Sequence, residues 1–140
     1  MGKRLTSGPF FVPISIDGSA SGAVEFLLIG LKNLASRTST VHVSVYNCRD
    51  TSLYPPASPE VKIYQRDVCI PAGACAVLKV DAEPVGKNTF TGNNMLRVEL
   101  KGDTDEDAKA VVIALSGGRM DGRTATSMVF KHDEFVEFDD

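Results

Sequence analysis

The run Val41-His42-Val43-Ser44-Val45-Tyr46 places an apolar residue at every second position, and Leu96-Arg97-Val98-Glu99-Leu100-Lys101 repeats the pattern. Successive side chains of a strand point to opposite faces, so Val41, Val43 and Val45 share one face, as do Leu96, Val98 and Leu100. Both runs read as half-buried strands. The same period runs through Phe10 to Ile16, Val61 to Arg66, Ala76 to Val80, Met128 to Lys131 and, more weakly, Phe135 to Phe138. Ala23 to Leu31 and Lys109 to Leu115 are apolar on both faces, which suits either a covered central strand or a face that meets another subunit.

Breakers separate these runs: Asp17-Gly18, Pro55-Pro56, Pro71-Ala72-Gly73, Thr91-Gly92-Asn93-Asn94, Gly117-Gly118 and Asp121-Gly122. No window carries an apolar face at helical spacing with credible caps. The pattern predicts an all-β chain, a single β-sandwich of eight to nine short strands with jelly-roll or immunoglobulin-like wiring. The sandwich is expected over residues 10–140, with residues 1–9 as an N-terminal arm outside the core. At 140 residues the chain can bury a core without crosslinks.

A net charge of -3 and the lack of a basic cluster beyond Lys3-Arg4 argue against a nucleic-acid partner. The longest apolar run, Phe26 to Leu31, is too short to span a bilayer. Met1-Gly2-Lys3-Arg4 offers the basic start of a signal peptide, but Leu5-Thr6-Ser7-Gly8-Pro9 interrupts the apolar stretch that should follow. The expectation is a mature form or export by another route.

Chemistry is sparse. His42 falls on the polar parity of its strand, and His132-Asp133-Glu134 reads either as a cation contact or as a polar turn before the last strand. With no catalytic triad pattern, phosphate loop or histidine cluster, an enzyme is not expected and no cofactor is required. Asp103, Asp105 and Asp107 alternate in one acidic loop, which makes them candidate calcium ligands, although the loop lacks the glycine and distal glutamate of an EF-hand. The other reading is a solvated turn.

Three cysteines remain: Cys48, Cys69 and Cys75. Cys48 shares parity with His42, Ser44 and Tyr46, Cys69 with Asp67, and Cys75 with Val77 and Lys79, so all three are predicted to face outward. Cys69 and Cys75 would then bridge each other across their turn and leave Cys48 for an intermolecular bond. A register slip of one residue would instead make all three ordinary buried thiols in a reducing cytosol.

The segment Phe10-Phe11-Val12-Pro13-Ile14-Ser15-Ile16 is apolar, and Pro9 and Pro13 place it at a sheet edge or on the way into one. It reads as the first strand of its own sandwich, or as an assembly element in which the preceding arm adds a strand to a neighbour. Phe10, Phe11, Val12, Ile14 and Ile16 are its candidate assembly residues. A head-to-tail contact of this kind does not close, so it makes a homopolymer.

The succession VHVSVYNC, VCIPAGACAVLKVD, MLRVELKG, AKAVVIALSGG and MVFKHDEFVEFD resembles a group of small all-β proteins of spore-forming bacteria. More loosely, it is similar to the jelly-roll subunits of bacterial endospore appendages and related extracellular fibres. The resemblance implies a self-assembling structural subunit of an extracellular or spore-surface filament, tube or layer. It also implies export without an ordinary signal peptide, polymerisation through the arm, and disulfides from arm cysteines. Residues 1–9 contain no cysteine, so any crosslink here falls to Cys48, Cys69 or Cys75. The alternative is a monomeric binding module for a carbohydrate or cell-surface ligand, for which Tyr46, Tyr54 and Tyr64 are the candidate contacts in a chain without tryptophan. A cytosolic sandwich of other role is the third reading.

Overall fold

The structure is a computed structural model that describes residues 3–48 and 59–139. The described residues form ten strands: β1 (Lys3–Thr6), β2 (Phe10–Phe11), β3 (Phe26–Asn33), β4 (Ser39–Asn47), β5 (Val61–Ile70), β6 (Cys75–Asp81), β7 (Met95–Gly102), β8 (Val111–Gly118), β9 (Thr124–Phe130) and β10 (Val136–Glu137). One sheet runs β10-β1-β7-β4-β5, with β2 continuing the line of β1 along β7, and the other runs β6-β3-β8-β9. Every pairing is antiparallel. The chain is the β-sandwich that its alternation predicts.

The core forms where the alternating faces meet. Val43, Val45, Leu96, Val98 and Leu100 from the first sheet are fully buried, opposite Leu27, Ile29, Val111 and Ile113 from the second. Apolar burial of this kind is the main favourable term in folding, about 25 cal/mol for each Å² removed from water.

The N-terminal segment corrects one expectation. Lys3–Thr6 is not an arm outside the core but a strand between β7 and β10, with Leu5 fully buried. Four residues are too few to display a period. The strand also continues past its kink at Gly8-Pro9, because Ser7 replaces a ladder carbonyl with its hydroxyl. Ser7 N–H donates to the Val98 carbonyl at 2.9 Å, and Ser7 Oγ accepts from Val98 N–H at 3.0 Å.

A second correction concerns Cys69 to Cys75. It is not a hairpin turn, since β5 lies in one sheet and β6 in the other. Ile70-Pro71-Ala72-Gly73-Ala74 is an arch between sheets, and Gly73 takes φ +73°, a backbone conformation that suits glycine. Buried Asn33 anchors it. Its Nδ2 donates to the carbonyls of Ile70 at 2.9 Å and Arg37 at 2.8 Å, while its Oδ1 accepts from Ala35 N–H at 2.9 Å and Ser39 Oγ at 3.2 Å.

The long connection from β2 to β3 is tied to the β8–β9 hairpin by Arg123, which reaches Asp17 and Asp121 at 2.6 Å each. Hydrogen bonds from Ser19 and then Arg123 hold the Asp17 carboxyl well below the usual carboxylate range. A carboxylate lowered in this way contributes its stability above its unfolded pKa and loses it only as pH falls through the folded value.

Candidate assembly surfaces

The outer faces of the two sheets differ in chemistry. On the five-strand path Arg97 is the hub: its guanidinium meets Glu60 at 2.5 and 3.1 Å and Glu99 at 3.1 Å, and it stacks over the Tyr46 ring at 4.5 Å. The Glu60 hydrogen bonds raise the Arg97 pKa further and lower that of Glu60. His42 pairs with Asp67 at 2.6 Å and Arg4 with Glu99 at 3.7 Å. This face is a polar lattice of ion pairs and hydrogen bonds centred on Arg97.

The four-stranded sheet is different. Its outward positions fall into rows across β6, β3 and β8: Cys75, Lys32 and Val112, then Val77, Gly30 and Ala114, then Lys79, Leu28 and Ser116. Val77 is 67% exposed, and Val129 on the edge strand β9 is 44% exposed. Among the described residues nothing lies over the row of Val77, Gly30 and Ala114. Lys79 stands at the edge, paired with Asp81 at 3.3 Å and over the Phe26 ring at 5.6 Å. The residues apolar on both faces of β3 and β8 therefore bury one side in the core and present the other as an exposed, mostly apolar patch with a shallow depression lined by Gly30, Cys75, Val77, Val112 and Ala114.

The three thiols lie on the outer sides that their parities predict, Cys48 beside the Glu60 carboxylate of the Arg97 cluster. Cys69 and Cys75 are exposed, Cys48 is half-buried, and all three are free. Cys69 lies opposite Thr40 on the outer face of one sheet, with Sγ 3.4 Å from Thr40 Oγ1, whereas Cys75 lies opposite Lys32 on the outer face of the other. The two thiols point away from each other, and the bridge expected between them does not form. Burial, then the Glu60 carboxylate 3.8 Å away, pushes the Cys48 thiol up. Because the thiolate is the nucleophile, alkylation of the native protein near pH 8 should add two adducts before the third, with Cys48 last by peptide mass spectrometry. Early labelling of Cys48 would contradict this account.

Asp103, Asp105 and Asp107 do not converge. Asp103 Oδ2 accepts from Thr40 N–H at 2.9 Å and Asp105 Oδ1 from Lys109 N–H at 3.1 Å, while Asp107 is exposed. One carboxylate accepts a backbone donor of β4 and another a donor of its own turn, and among the described residues no group of three acidic, histidine or cysteine side chains is placed to hold a metal ion. His132 is likewise committed to backbone. Its Nδ1 accepts from Ile113 N–H at 3.1 Å and its Nε2 donates to the Asp105 carbonyl at 2.7 Å, so the polar-turn reading of His132 to Glu134 describes it.

The proposed assembly segment divides by parity. Phe10 and Val12 are buried, Phe10 against the Phe130 ring at 5.1 Å, and Ile16 packs on the core, which leaves Phe11 and Ile14 exposed at 42% and 70%. Phe10 and Val12 belong to the chain's own sandwich. Tyr46 lies beneath Arg97, Tyr64 packs against the core, and Tyr54 lies outside the described residues. An open cleft at one end of the sandwich is lined by Asn47, Val61, Ile63, Glu83, Asn88 and Asn94, and its Asn47 amide is already bonded to the Thr89 carbonyl and the Asn94 side chain. No helix is long and apolar enough to cross a membrane.

The chain matches no protein-family model and no curated protein. It is similar to a solved structure described as the crystal structure of Thermotoga maritima 1070, at 13% identity and a TM-score of 0.44, over 94% of this chain and 95% of that one.

Proposed function

We propose that this chain is a self-assembling structural subunit of an extracellular or spore-surface filament, tube or layer, whose copies pack through the outer face of the four-stranded sheet. The observation that carries this reading is the contrast between the two outer faces. One sheet covers itself with paired charges, and the other leaves Leu28, Gly30, Val77, Val112 and Ala114 on its outer face. Sheets stack face to face about 10 Å apart when small and β-branched side chains interdigitate, and Gly30 beside Ala114 gives the space for that approach. The contact replaces the arm-mediated one expected from sequence, because the described part of that segment is committed to its own sheet. A monomeric carbohydrate module has less support: neither Tyr46 nor Tyr64 offers a free ring face.

Ala114→Lys tests the reading, since Ala114 is exposed and the change leaves the core alone. An ammonium buried without a partner between two copies costs several kcal/mol, so association should weaken by about a hundredfold or more while circular dichroism stays that of the wild type. Light scattering and electron microscopy are the measurements. A wild-type protein that remains a monodisperse 15.0 kDa species at high concentration, with or without reductant and chelator, would sink the assembly reading.

A further inference from the structure

The edge of the same sheet carries a more specific contact. Hydrogen bonding in an antiparallel ladder alternates, so each edge-strand residue bonds either inward to its neighbour or outward to solvent. The phase of β6 is set at both ends. Asn33 N–H donates to the Ala74 carbonyl at 3.0 Å and Ala82 N–H to the Glu25 carbonyl at 2.9 Å, which assigns even-numbered residues to β3. On the far side of β3, Leu34 N–H donates to the Ala110 carbonyl at 2.9 Å, so even-numbered residues of β3 serve β8 and odd-numbered ones serve β6, the same phase. Cys75, Val77, Lys79 and Asp81 therefore aim their backbone N–H and C=O groups outward. The Asp81 carbonyl is already taken by Thr89 Oγ1 at 2.7 Å. Among the described residues, what stays open is a run of three, Cys75, Val77 and Lys79.

The other sheet edges are guarded. β5 pairs with β4 through a register shift at Val45/Tyr46 and carries Lys62, Arg66 and Asp67, with Arg66 opposite inward-facing Val43. β9 is interrupted by a register shift opposite Leu115/Gly117, and β10 is two residues long. Bulges, inward charges and short strands are the devices by which native edges refuse a partner. β6 has seven residues, pairs with β3 without a shift, contains no proline and places only Ala76, Leu78 and Val80 inward.

We infer that β6 pairs antiparallel with β6 of a second copy about a two-fold axis at Val77, joining two four-stranded sheets into one of eight strands. This rests on the self-assembly reading above and names the partner and register. Val77 then faces Val77 of the second copy, and Cys75 faces its Lys79, so all six open backbone groups find partners. Neighbouring registers do worse. An axis at Lys79 opposes two ammonium groups, one at Ala76 leaves Lys79 unpaired, and one at Leu78 draws on the occupied Asp81 carbonyl. A two-fold edge contact closes on itself as a dimer, so growth into a filament or layer falls to the face contact of the same sheet. The outer patch of Val77, Gly30 and Ala114 becomes continuous across the seam.

Directly opposed hydrogen-bonded residues have Cα atoms about 5.5 Å apart, inside the range a disulfide spans. In a background of Cys48→Ser, Cys69→Ser and Cys75→Ser, Val77→Cys should therefore give mostly covalent dimer with oxidised glutathione. Two Val77→Cys thiols and one glutathione disulfide yield the protein disulfide and two reduced glutathiones. Thr124→Cys, on the opposite edge strand, should stay monomeric on the same non-reducing gel. Val77→Pro, in the otherwise native chain, removes an N–H that its own sheet does not use, and should weaken association at least tenfold by sedimentation while the far-ultraviolet spectrum is kept. The crosslink does not depend on the proline variant folding. Equal crosslinking at both sites, or none at Val77→Cys while the wild type still sediments above 15.0 kDa, overturns the edge register and leaves the face reading standing. A wild type that is monomeric throughout overturns both.

Discussion

Asn33→Ala is expected to lower the unfolding free energy by about 3 kcal/mol, read as a fall in the urea midpoint at unchanged slope. Asn33 is fully buried at the end of β3, with its amide placed where three chain segments meet. Its Nδ2 reaches the carbonyls of Ile70 and Arg37, and its Oδ1 receives Ala35 N–H and Ser39 Oγ. Alanine removes both functions of the amide and leaves buried groups unpaired, each at about 1–3 kcal/mol before local relaxation. In a domain whose total margin is about 5–15 kcal/mol, that is a large fraction. Asn33→Asp separates the two functions: it keeps the acceptor for Ala35 and Ser39 but cannot donate to Ile70, so it should recover little. A loss below about 1 kcal/mol in the alanine variant would mean that the arch from Ile70 to Ala74 is held by its own backbone bonds and not by Asn33. The result also bears on assembly, because the arch delivers the first residue of the open edge, Cys75.

How far the sequence foretold this architecture depends on what a two-residue period can encode. Val41, Val43 and Val45, and Leu96, Val98 and Leu100, announce their buried face directly, and both sets are buried. The same parity put Cys69 and Cys75 outside. Parity tells which face of a strand is buried but not which sheet the strand joins, so Cys69 and Cys75 looked like the two sides of a hairpin when they flank an arch. Lys3–Thr6 was too short for its single buried residue, Leu5, to form a pattern. The acidic loop misled for a different reason. Alternating aspartates satisfy a composition rule for calcium, but Asp103 and Asp105 spend their oxygens on Thr40 and Lys109 amides, and that choice is made by the backbone path. β3 and β8 were more informative. Their double apolarity poses a choice between a covered strand and a contact face, and the strands lie at the centre of a sheet whose outer side is left exposed by the described residues.

Phe90→Ala should be the most damaging single truncation at the loop end of the sandwich, at about 3–5 kcal/mol and a fall in melting temperature on the order of 10 °C or more. Phe90 lies in the connection from β6 to β7, outside any strand, yet it is fully buried and is the largest of the fully buried side chains among the described residues. No alternation surrounds it, so a reading by period passes over it. The backbone holds it in place: Glu83 N–H donates to the Phe90 carbonyl at 2.9 Å, and Thr89 Oγ1 bonds the Asp81 carbonyl at 2.7 Å. A cavity the size of a phenyl ring would form beneath a connection that these bonds prevent from collapsing, and cavities that cannot collapse are the costly ones. Phe90→Leu keeps most of the volume and should restore more than half of the loss. The two variants also separate core from surface: neither touches the outward row of Val77, Gly30 and Ala114, so Phe90→Leu should assemble as the wild type does at temperatures well below its melting point. If Phe90→Leu folds but fails to assemble, the loop end of the sandwich belongs to the contact, and the uncovered sheet face is not sufficient for assembly.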